Sequence, residues 1–64
     1  MTASPANVIH RALGYQGAHM NTEELIRTFM LAGYGMAKAR KRIQEYAEIG
    51  IIYKNDINEW EMDL

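Results

Sequence analysis

Four of the seven positive charges in this 64-residue chain fall within five residues, as Lys38, Arg40, Lys41 and Arg42. Side chains of this kind capture polyanions, lysine as a point charge and arginine through a planar two-pronged fork. Gln44 lies just beyond them, and its amide can both donate and accept at the edge of a planar polar group. Opposite charge collects downstream. Residues 1–42 hold six Lys/Arg against two acids, whereas residues 43–64 hold one Lys against six acids. The net charge of −1 therefore conceals a dipole along the chain, and the distribution governs attraction more than the sum does.

Other chemistries are poorly supplied. Without cysteine there is neither a disulfide framework nor a thiolate metal site. His10 and His19 lack metal-site spacing and a nearby carboxylate companion, so neither a metal nor a cofactor is expected. One serine and no glycine-rich phosphate loop, in a chain with little room for a water-excluding pocket, argue against an enzyme. No leader pattern stands near Met1 and no apolar run approaches the roughly 18 residues of a span. A soluble cytoplasmic protein with no membrane contact is the expectation. A chain of this size buries only roughly 60% of its unfolded surface, which favours a homodimer or a protein partner.

These side chains must be positioned by elements with clear local signals. Ser4-Pro5 marks a helix start, because serine caps a free N–H and proline suits the first helical position. Helix 1 is expected over about 5–15, with Val8, Ile9, Ala12 and Leu13 inward and Gly14 and Gly17 bracketing its end. Asn21 with Glu24 three residues later forms a capping box, and Met20 is placed to staple onto Leu25. Helix 2 is expected over about 22–32, burying Leu25, Ile26, Phe29 and Met30 and stopping at Gly33. Tyr34 between two glycines reads as a turn anchor. Helix 3 is expected over about 36–49. At roughly 100° per residue it turns Met36, Ala39, Ile43, Tyr46 and Ala47 inward and Ala37, Lys38, Lys41, Gln44, Glu45 and Glu48 outward. Its basic end is the amino-terminal one, against the macrodipole, so local helix energetics do not explain it.

Gly50 ends helix 3, and a wing-like hairpin is expected over about 51–62. A two-residue turn at Asn55-Asp56 would set Lys54 opposite Ile57 and Ile51 opposite Trp60. That register places Ile51, Tyr53, Trp60, Met62 and Leu64 on one face and Ile52, Lys54, Ile57, Glu59, Glu61 and Asp63 on the other. Tyr53 and Trp60 then read as hairpin core. The fold class is mainly α with a C-terminal β-hairpin, an α+β arrangement in one domain over 1–64.

The order of these elements resembles the winged helix-turn-helix domain. Met20-Asn21 before helix 2, the trio Ala39, Ile43 and Tyr46, the run Glu48-Ile49-Gly50-Ile51-Ile52 and the returning Trp60-Glu61-Met62 carry the likeness, from about Ser4 to Leu64. The resemblance implies that helix 3 is a recognition helix for duplex DNA. Ala37, Lys38, Lys41 and Gln44 would approach the major groove, and Arg40 and Arg42 would reach phosphates on its flanks. Arg11 and Arg27 would add backbone contacts. A dimer on two half-sites about 34 Å apart would supply affinity, in regulation of transcription or another DNA transaction.

The wing departs from the DNA-binding pattern, offering Lys54 against Asp56, Glu59 and Glu61. A second expectation therefore stands beside the first. Winged-helix domains also bind proteins, and in size and layout the chain is similar to small phage and mobile-element modulators of host machinery. Ile52, Ile57, Glu59 and Glu61 would then form the partner surface.

Overall fold

A computed structural model describes residues 3–64; Met1 and Thr2, where no leader was expected, lie outside the described residues. Three helices, α1 (Pro5–Leu13), α2 (Thr22–Leu31) and α3 (Met36–Glu48), precede a two-stranded antiparallel hairpin of β1 (Ile52–Lys54) and β2 (Trp60–Met62). This is the mainly α layout of a three-helix winged helix-turn-helix.

Local signals set the helix ends. The Ser4 hydroxyl accepts from the Asn7 N–H at 3.2 Å, with Pro5 in the first turn. At α2 both halves of the capping box form: Asn21 Oδ1 accepts from the Glu24 N–H at 2.8 Å and Glu24 Oε1 from the Asn21 N–H at 3.0 Å. Gly33 follows α2 at φ 104° and Gly50 follows α3 at φ 83°, a left-handed geometry that glycine adopts without steric cost. Helix 1 stops at Leu13, short of the expected Tyr15: Gly14 makes its last i→i−4 bond, to the His10 carbonyl, and takes a non-helical ψ of 23°.

One hydrophobic cluster joins the elements. Phe29, Ile9, Leu13, Leu25 and Ile52 are its largest fully buried members, and Ala39 and Ile43 bring in α3. Helix 2 packs against both α1 and α3, and α1 also meets β2. Tyr34 does anchor its turn: its ring meets Phe29 edge-on at 5.1 Å and its hydroxyl donates to the Ala3 carbonyl at 2.7 Å. Two expected core residues are exposed instead. Met30 and Met36 lie at the rim of the α2–α3 packing, where both line an open groove.

The hairpin differs from the expected register. Observed partners are Ile52 with Met62, Tyr53 with Glu61 and Lys54 with Trp60. The loop is the longer three-residue type, Asp56–Asn58. Asn58 donates to the Asn55 carbonyl at 3.0 Å, the Asn55 N–H donates to the Glu59 carbonyl at 2.8 Å, and Asn58 takes φ 63°, a type I turn closed by a left-handed residue. Its organiser is Asn55, whose Oδ1 accepts from the N–H groups of Ile57 and Glu59 at 3.0 and 2.9 Å. The offset from the expected pairing is odd, so the first strand is reversed face for face. Trp60 and Met62 lie on the packed face as expected, joined there by Ile52 and Lys54. Ile52, expected outside, is 1% exposed; Tyr53, expected in the hairpin core, is 46% exposed.

A third strand position completes the sheet. Met20 forms an isolated antiparallel bridge with Trp60, through a Trp60 N–H bond to the Met20 carbonyl at 2.6 Å and the reciprocal bond at 3.1 Å.

Asn55→Ala should lower unfolding free energy by about 1–2 kcal/mol in urea titration, since two loop N–H groups lose their acceptor. Asp56→Ala, at a side chain without such a role, should change it by less than about 0.5 kcal/mol. Equal large losses would instead indicate a turn centred on Asn55-Asp56.

Candidate nucleic-acid interface

The exposed side of α3 divides into two flanks. At roughly 100° per residue, Arg40, Gln44, Ala37 and Lys41 share an arc of about 100° beside α2 and the wing. Lys38 and Arg42 lie round the helix on the opposite flank. The six residues expected to touch DNA therefore do not form one patch, and the first four make the continuous surface.

Arg40 is the hinge of this surface. It borders a shallow groove with Thr22, Ile43, Gln44, Ala47 and Trp60, and a second with Glu23, Ile26, Arg27, Met30 and Met36. Both Arg40 and Gln44 are exposed, and neither has a side-chain hydrogen bond or ion pair among the described residues. Arg42 differs. Its Nη1 donates to Glu45 Oε1 at 2.9 Å, and that hydrogen bond and charge raise the guanidinium pKa above its ordinary value. Its fork is thereby half-occupied within the helix, which sets Arg42 apart from the phosphate-reaching role expected for it. The same pair neutralises Glu45, leaving Glu48 as the exposed acid of the last turn.

The wing contributes a residue that sequence reasoning assigned only to hairpin packing. Trp60 is half-buried, and its indole N–H donates to the Thr22 hydroxyl at 3.0 Å. It thereby closes one wall of the groove against the start of α2. Directly opposite on β1, the Lys54 ammonium lies 5.0 Å from the Trp60 ring centre, a cation held over an aromatic face. The signal lay in the period-two alternation of β2, but pairing Lys54 with Trp60 needed the observed register.

The acids of the returning strand lie elsewhere. Strand alternation puts Glu59 and Glu61 on the outer face of the sheet with Tyr53 and His19, away from Lys54 and Trp60. Glu59 pairs with His19 Nδ1. Glu61 accepts from Asn55 Nδ2 at 2.7 Å and from the Tyr53 hydroxyl at 3.2 Å. Of the four residues expected to form a partner surface, Ile52 is core, Glu59 and Glu61 have bonds within the chain, and Ile57 stands 66% exposed at the wing tip. Ile52 is withdrawn from that surface because the odd register offset turns it inward.

The Glu61 hydrogen bond and charge raise the Tyr53 pKa above its ordinary 10.0. The neutral phenol is favoured in the folded state, so this contribution is complete below the ordinary value and is lost as pH rises through the folded one. Ultraviolet titration of the four tyrosines should show one ionising late, and Glu61→Gln should bring it back toward 10.0. An unchanged titration in that variant would remove Glu61 as the cause.

No helix among the described residues is long and apolar enough to cross a membrane. No family model, curated protein or solved structure matches the chain.

Proposed function

We propose that this chain is a small cytoplasmic winged-helix protein that binds duplex DNA through α3 and regulates transcription or another DNA transaction. One observation carries the reading. Arg40 and Gln44 of α3, Thr22 at the start of α2 and Trp60 of the wing border a single groove, with Lys54 beside it and Glu59 and Glu61 on the opposite face of the sheet.

That segregation answers the main objection to DNA binding, the acidic wing. A duplex lying along α3 meets Arg40, Lys41 and Lys54, while Glu59 and Glu61 point away and are engaged by His19, Tyr53 and Asn55. The basic start of α3 also gains an external purpose. Its first turn contains no acid and its amino end has no side-chain cap, so the cations there oppose the helix dipole without local compensation. A phosphate backbone supplies it. Because one short basic helix makes few contacts, the protein acts as a dimer on two half-sites about 34 Å apart.

Fluorescence anisotropy with a labelled random duplex across a salt series tests the reading. Four to six phosphate contacts correspond to a log–log slope of roughly −4 to −5. Lys41→Ala with Lys54→Ala should make the slope shallower by about 2. Absence of binding at low salt would refute the DNA reading and direct attention to a protein partner at the wing tip around Ile57.

A further inference from the structure

Resting on the DNA-binding reading, we propose that Arg40 and Gln44 are the base-reading pair of α3, taking a guanine and an adenine within two base-pair steps of each other. The other charged side chains of the helix are excluded by their surroundings. Arg42 is committed to Glu45 at 2.9 Å. Lys38 lies on the far flank, turned from the groove that Arg40 and Gln44 share with Trp60 and Thr22. Lys41 borders neither groove and offers a point charge rather than a planar fork.

The shared groove also sets the direction of approach. Glu48 is the exposed acid in the last turn of α3 and repels phosphates there, whereas Glu45 on the far flank is paired with Arg42. The duplex is admitted along α3 from Ala37 to Gln44, on the side of α2 and the wing. Here Lys54 and Arg27 flank the reading pair, each beside a groove wall. They are suited to the phosphates on either side, whereas Arg40 and Gln44 occupy the middle.

Chemistry then fixes the bases. An arginine fork meets the O6 and N7 acceptors of guanine in the major groove, and a glutamine amide meets the N6 donor and N7 acceptor of adenine. Positions four apart on a helix stand about 6 Å apart along its axis. Bases stack at about 3.4 Å, so the two side chains span no more than two steps. Ala37, on the same arc, presents a methyl group fitted to the methyl of a thymine.

Selection from a randomised duplex pool, followed by binding to the selected site and its single-base changes, tests the assignment. The selected half-site should contain a guanine and an adenine no more than two steps apart, and replacing either should weaken binding about 10-fold to 100-fold. Arg40→Ala should abolish the preference at the guanine alone, and Gln44→Ala at the adenine alone. Gln44→Glu should move the second preference toward cytosine, whose N4 amine a carboxylate accepts. Lys38→Ala should leave every base preference unchanged. Circular dichroism melting of each variant separates loss of contact from loss of fold. Duplex binding with base preferences that ignore Arg40 and Gln44 would overturn this assignment while leaving the DNA reading intact. Failure of the unaltered protein to bind any duplex would overturn both.

Discussion

The hairpin is too short to stand alone, and the candidate interface depends on how it is held. Two strands of three residues each fall below what an isolated hairpin needs for stability in water. Trp60 supplies the attachment. Its backbone pairs with Met20 and its indole reaches Thr22, fastening β2 to the segment that leads into α2. Ile52, on the facing strand, completes the anchorage by entering the helical core. With the wing fixed at both points, the groove between α3 and Trp60 keeps a defined width. Free rotation of the hairpin would leave only a charged helix.

The same anchorage sorts the charges. A strand alternates its side chains between two faces, so committing Trp60 and Met62 inward commits Glu59 and Glu61 outward. On the hairpin, Lys54 therefore shares the packed face with Trp60, and Glu59 and Glu61 lie behind the sheet. Their carboxylate oxygens also find partners within the chain. Glu61 is held by Tyr53 and Asn55, and Glu59 by His19. On the face shared with Trp60 the strands present Lys54.

Helix 3 shows a comparable sorting within one element. Its cations are consecutive or nearly so in sequence, but a 100° turn per residue sends Arg40 and Lys38 to different flanks. Arg42 is drawn back to Glu45, a pair three residues apart of the kind that neighbours on a helix form. Only part of the basic run is consequently available on the groove side.

Much of the architecture was legible because its signals are local. Ser4-Pro5, the Asn21–Glu24 capping box, Gly33 and Gly50 each act on backbone groups within a few residues, so they define helix boundaries without reference to the rest of the fold. Helical periodicity likewise identified Ile9, Leu25, Phe29, Ala39 and Ile43 as core. The hairpin register was not decided locally, because Ile51 and Ile52 are adjacent and equally apolar and either can turn inward. The tertiary structure decided it: Asn55 gathered the loop amides, Trp60 paired with Met20, and the helices had room for Ile52. The exposure of Met30 and Met36 was settled in the same way, by the edge of the α2–α3 contact rather than by periodicity. The sequence alone determined that a helix with a basic first half was present. Which of its side chains border the groove followed only from the position of the neighbouring helix and wing, since exposure belongs to the packed assembly and not to the residue.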